Sequence, residues 1–160
     1  VTAELLTGQE VNMKSGALLP ALQASMAVPG VFQPVEVEGY SLVDGGVANP
    51  LPYDRVQDDC DIVIAIDVSG SNHLEDGDTL SSMGVLLQSF TAMSRNILTE
   101  KLKQQRPTVY IKPDIRNVKI LEFYKAREVF EQARPAQRQL EKALKKAIRR
   151  HDGRPGCTAG

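Results

Sequence analysis

The most chemically pointed feature of this sequence is a carboxylate set between a strand end and two glycines. Leu42-Val43 reads as the end of a short buried strand, and Asp44 follows where the backbone must turn. Gly45 and Gly46 permit positive φ and close approach by another backbone or a ligand. Pro50 and Pro52 stiffen the exit, with Pro52 suited to the first position of a following helix. A carboxylate fixed at the C-terminal end of a strand is where open α/β sheets place their working groups. Asp-Gly is also a generic turn former, so the flanking residues must decide between chemistry and a plain turn.

Those flanks are Ala24-Ser25-Met26-Ala27-Val28-Pro29-Gly30-Val31-Phe32-Gln33-Pro34 and Leu42-Val43-Asp44-Gly45-Gly46-Val47-Ala48-Asn49-Pro50-Leu51-Pro52. Two such motifs, in this order and separated by a short gap, resemble the patatin-like phospholipase family. The resemblance implies a three-layer α/β sandwich with a mostly parallel sheet. It also implies lipid acyl hydrolysis by a Ser-Asp dyad, in which the Asp of Asp-Gly-Gly serves as base without an intervening His. Carried over, the base is Asp44, with Gly45, Gly46 and Asn49 supporting the motif. The family often carries two asparagines before Leu-Pro, where this sequence has Asn49-Pro50.

The family's nucleophile lies in Gly-x-Ser-x-Gly, on a sharp strand-to-helix turn. No serine in the 160 residues has glycine both two positions before and two positions after it, and no glycine-rich loop precedes Ala24. The expectation is therefore the C-terminal part of a patatin-like hydrolase domain over residues 1–150, truncated at its N-terminus, which supplies the Asp but not the Ser. The other expectation is a catalytically inactive module that binds a lipid surface or a partner. Residues 151–160 read as a disordered tail.

Other candidate residues have plainer readings. Ser25 lies close to Asp44 in sequence, but its small neighbours suit close helix packing with its hydroxyl bonded to a carbonyl one turn back. Asp67 interrupts the apolar run Ile62–Val68 near its end, either as a second acid or as a carboxylate that caps a turn. The acids of the loop from Ser69 to Asp78 do not follow the spacing of a calcium loop, so that loop, with His73, reads as solvated. Cys60 and Cys157 form no Cys-x-x-Cys pair, and the two histidines lie far from either. Neither metal nor cofactor is expected, and reduced thiols are the default for an intracellular chain. The setting these readings suggest is cytoplasmic, or peripheral at an inner membrane surface.

Apolar residues make up 42%, enough for a core, while a net charge of −1 gives no general pull toward nucleic acid. Val1–Leu6 and Glu10–Met13 read as a hairpin, or a strand with a return, about Thr7-Gly8-Gln9. Ala17–Ala27 reads as a helix with Leu18, Leu19, Leu22 and Met26 on its buried face. Phe32–Val37 reads as extended, Tyr53–Asp59 as a short helix or turn, and Ile62–Val68 as a central strand covered by helices on both sides. Thr79–Lys103 reads as a long helix burying Met83, Leu87, Phe90, Met93 and Ile97, and Val109–Ile111 as a short strand.

Arg134–Arg150 reads as a basic amphipathic helix with Leu140, Leu144, Ala147 and Ile148 on its apolar stripe. Such a helix either docks on a sheet with its charges in water or makes peripheral membrane contact with anionic lipid. The expected partners are thus a lipid ester substrate, a membrane surface through helix 134–150, and a second copy through an exposed sheet edge.

Overall fold

The computed structural model describes residues 1–69, 81–118 and 122–153. They fall into two compact units, residues 1–52 with 81–104, and residues 53–69 with 105–118 and 122–153.

The first unit is built on a four-stranded sheet of β1 (Thr2–Glu4), β2 (Glu10–Val11), β3 (Val35–Val37) and β4 (Tyr40–Asp44), in the order β2-β1-β4-β3. Every pairing in it is antiparallel, with Thr2 opposite Asp44, Ala3 opposite Val43 and Glu4 opposite Leu42. This corrects the expectation of a mostly parallel sheet. The connections explain the difference, because β1–β2 and β3–β4 are short hairpins and antiparallel pairs are what short turns can join. The β1–β2 turn is held by Glu4, whose Oε2 accepts hydrogen bonds from the Thr7 amide (2.6 Å) and hydroxyl (2.8 Å). Those bonds keep the Glu4 carboxyl below the ordinary carboxylate range.

Helix α1 (Leu18–Ser25) carries Pro20 in its first turn, where no intrahelical amide is lost. Its predicted apolar face is not buried: Leu18 and Met26 are 73% and 62% exposed, and Leu19 and Leu22 are exposed as well. The small residues Ala24 and Ala27 go inward instead, because the close approach of α1 to the sheet leaves no room for longer side chains. Helix α2 (Ser82–Gln104) also departs from its predicted stripe. Met83 and Met93 are exposed, Leu87, Phe90 and Ile97 are half-buried, and Leu98 is the buried residue.

The second unit pairs β5 (Ile64–Ile66) with β6 (Val109–Ile111) in parallel, Ala65 opposite Tyr110. A 3₁₀ turn at Tyr53–Arg55 precedes this pair, and the Tyr53 hydroxyl donates to the Gln105 carbonyl at 2.6 Å. The strand expected over Ile62–Val68 shortens to three residues. It is not apolar on both faces in the predicted sense, since Ile64 and Ile66 are 39% and 42% exposed and only Ala65 between them is buried. Helix α3 (Ala126–Asp152) lays Ala136, Ala143, Leu140 and Ala147 on Val109, Ile111 and Ile62. It starts at Ala126 rather than Arg134 and includes His151 and Asp152, which the sequence reading gave to the tail.

Cys60 is a free, exposed thiol. The loop acids Glu75, Asp76 and Asp78, His73, the predicted helix start at Thr79, and Cys157 with the rest of the tail lie outside the described residues. No helix among the described residues is long and apolar enough to cross a membrane.

Candidate active site

Asp44 is the last residue of β4, and both elements that flank it are fixed. Leu42 and Val43 before it are fully buried, and its own amide donates to the Ala27 carbonyl at 3.0 Å, which ties the strand end to the segment after α1. Beyond it the chain turns at once into a 3₁₀ turn, Gly45–Val47, for which Asp44 is the N-cap. Its Oδ1 accepts the Gly46 amide at 2.7 Å, the bond a capping carboxylate makes to a free amide at a helix start. Among the described residues, Oδ2 accepts no hydrogen bond. One oxygen is therefore oriented by backbone and the other remains available to a donor.

The two glycines serve the turn differently from the sequence expectation. Neither has a positive φ. Crowding requires glycine at position 45, and at position 46 it leaves only tight room, with Asp44 Oδ1 3.0 Å from where a Cβ would lie. A Cβ on Gly45 would lie 2.6 Å from the Val1 carbonyl oxygen, and a Cβ on Gly46 would lie 3.1 Å from the Phe90 ring. The expectation of close backbone approach holds, and that of a left-handed turn is corrected.

Asn49 is buried, and its amide donates to the Gly45 carbonyl at 2.7 Å, closing the turn from the far side. Its side chain links two elements. Nδ2 donates to Glu10 Oε2 at 3.0 Å, and Oδ1 accepts Lys101 Nζ at 2.6 Å. The same ammonium reaches the Leu51 carbonyl at 2.9 Å. Ser94 donates to the Gly46 carbonyl at 3.0 Å. Phe90, Ser94 and Lys101 recur at helical spacing, so one face of α2 braces the turn that carries Asp44. Sequence reasoning missed Ser94, Lys101 and Glu10. The available signal was a polar residue at each of two positions on an otherwise apolar helical stripe, which a search for apolar periodicity passes over.

Ser25 does not act with Asp44 in this geometry. Its hydroxyl donates to the Val1 carbonyl at 3.1 Å, a partner on β1's leading end rather than a carbonyl one turn back.

Asp67 belongs to the second unit and is a structural carboxylate there. It follows β5, is buried, and its amide donates to the Ile111 carbonyl at 2.8 Å. The carboxylate accepts the Ser69 amide (2.9 Å) and hydroxyl and the Tyr110 hydroxyl (2.8 Å), and it pairs with Lys112 at 3.0 Å. Burial raises its pKa, but the bonds from Ser69, Tyr110 and Lys112 outweigh burial and hold it below the ordinary value. Burial and the adjoining carboxylate push the Tyr110 phenol well above its usual range. A carboxylate with this many donors is held as an anion and has no capacity left for proton transfer.

Residues 2–56 match the family described as patatin-like phospholipase. An uncharacterized NTE family protein of Mycobacterium tuberculosis is 42% identical over 72 residues, covering 44% of this chain and 20% of that protein. The lysophospholipase NTE1 of Kluyveromyces lactis is 29% identical over 146 residues, 77% of this chain and 10% of that protein. Its namesake in Candida glabrata is 27% identical over 132 residues, 68% of this chain and 8% of that protein. The chain thus spans a fifth or less of the length of these relatives. The stretch similar to the patatin-like phospholipase family, residues 2–56, contains Asp44, Gly45, Gly46 and Asn49.

Proposed function

We propose that this chain is the base-bearing part of a serine hydrolase acting on lipid carboxylic esters, with Asp44 as the base. The observation that carries the reading is the disposition of the Asp44 carboxylate, with Oδ1 held by the Gly46 amide and Oδ2 unengaged at the end of a buried strand. A carboxylate can replace histidine as the serine's base if it touches the hydroxyl directly and is oriented beforehand. The lysophospholipase name of the yeast relatives supports a lipid ester as substrate.

In this scheme Asp44 takes the proton from a serine hydroxyl as its oxygen attacks the ester carbonyl carbon. The tetrahedral species collapses, the ester C–O bond breaks, and the leaving alkoxide receives that proton. Water then attacks the acyl-serine, losing its proton to Asp44, and the fatty acid departs with the serine restored. The serine comes from outside these 160 residues, since none of theirs stands in Gly-x-Ser-x-Gly.

Two measurements test this. A fluorophosphonate serine probe, read by intact mass, should leave the 160-residue chain unmodified. Stoichiometric labelling of a serine within the chain would refute the assignment of the nucleophile. In a longer protein that carries both motifs, Asp44→Asn should abolish ester hydrolysis while the protein stays folded. Full activity in that folded variant would refute the role of Asp44.

A further inference from the structure

We propose that the solvent side of α3 is a docking surface for an anionic phospholipid bilayer. The argument starts from the helix's own geometry and does not depend on Asp44. The buried positions Ala136, Ala143 and Ala147 fix which side of α3 faces β6. At about 100° per residue, Arg138, Lys142, Lys145 and Arg149 fall within a sector about 60° wide on the opposite side. Lys146 and Arg150 widen it to about 140°. All six are exposed, and none is ion-paired with a carboxylate among the described residues. The sole acid in residues 134–150 is Glu141, whose carboxylate accepts the Gln137 side chain.

The cations therefore form a band about 18 Å long from Arg138 to Arg150 on a helix packed from behind against β6. One exposed apolar side chain, Ile148, lies beside the band, and another, Phe130, 69% exposed, lies about 12 Å before its first cation along the helix. Exposed apolar side chains flanking a cationic row match the interface of a bilayer, which offers phosphates at the surface and acyl chains just beneath. A nucleic-acid duplex offers the phosphates but no apolar layer for Phe130 and Ile148. The bilayer is accordingly the partner that uses both features.

The test is co-sedimentation of the 160-residue chain with vesicles of equimolar phosphatidylserine and phosphatidylcholine, against vesicles of phosphatidylcholine alone. Binding is expected on the anionic vesicles only, and added salt should weaken it. The combined variant Lys142→Gln, Lys145→Gln, Arg149→Gln should lower partitioning by roughly a hundredfold, from the contribution of each cation at an anionic surface. Its charge-keeping counterpart, Lys142→Arg with Lys145→Arg, should bind like the parent, and circular dichroism should show unchanged helix in both. Equal binding to the two vesicle types, no binding to either, an unaffected triple variant, or tighter binding to a DNA duplex at matched phosphate concentration would each overturn the proposal.

Discussion

Lys101 reaches from α2 to Asn49, with its ammonium 2.6 Å from Asn49 Oδ1. The pair joins a helix and a turn that are 52 residues apart in the chain. Because the Asn49 amide also closes the Gly45–Val47 turn, Lys101 is coupled to the conformation that Asp44 caps.

Replacing that ammonium should therefore cost stability. Lys101→Met keeps the aliphatic stem and removes the donor to Asn49 Oδ1 and the Leu51 carbonyl. Losing these two hydrogen bonds from a charged donor should destabilise the protein by about 1–3 kcal/mol. Urea unfolding of the two proteins checks this, and an unchanged midpoint would show that Lys101 does not hold the turn.

Gly45→Ala should be worse than its size suggests. The new methyl meets a backbone carbonyl, which cannot rotate away as a side chain would. Relief requires β1 to move from β4, at a cost of about 1–3 kcal/mol. At Gly46 the obstacle includes the Phe90 ring, so Phe90→Ala should partly rescue Gly46→Ala and leave Gly45→Ala unrelieved. Thermal unfolding of the single and double variants reads this difference directly.

Acid should destabilise the second unit through Asp67. Its folded pKa is lowered, so the unfolded chain binds a proton first as pH falls. The stabilisation is complete above the unfolded value, about 4, and is lost as pH drops through the folded value below it. Tyr110→Phe removes one donor to the carboxylate. It should lower stability near neutrality by about 1 kcal/mol and shift the acid midpoint upward. Acid titrations followed by circular dichroism test both points.

Base should act on the same pair with the opposite sign. The Tyr110 phenol has a raised pKa when folded, so above pH of about 10 the unfolded chain loses its proton first. Stability contributed by the protonated phenol is then lost as pH rises toward the folded value. Ultraviolet absorbance of phenolate during alkaline titration should show the Tyr110 phenol ionising late, together with unfolding, as a phase that Tyr110→Phe removes. Its early, reversible ionisation in folded protein would contradict the Asp67–Tyr110 bond.

Much of the Asp44 site was legible because its signals are local. A buried strand end and a carboxylate at a turn before two glycines follow from adjacent residues, and Asp44 stands at the end of β4. The brace from α2 was not legible, since Ser94 and Lys101 announce themselves only when the turn they hold is packed beside them. The parallel sheet was over-read for a related reason. Apolar runs such as Ile62–Val68 look alike whether covered on one face or two, and only pairing distinguishes them. The basic amphipathic pattern marks α3 only from Arg134, while the helix itself starts at Ala126 and carries Pro135 inside it. The apolar stripe of α1 was misassigned because periodicity finds a face without saying which neighbour it meets. In that helix the alanines, not the leucines, fit the available gap.

Adjacent glycines in a sequence usually suggest a hinge. In this protein they mark two places where neighbouring parts of the chain touch, the Val1 carbonyl at one and Phe90 at the other. The Asp44 turn should accordingly be among the least mobile segments of its unit. Its stiffness would show as slow hydrogen exchange at the Gly46 and Asn49 amides, and the carboxylate it carries would meet a substrate already aimed.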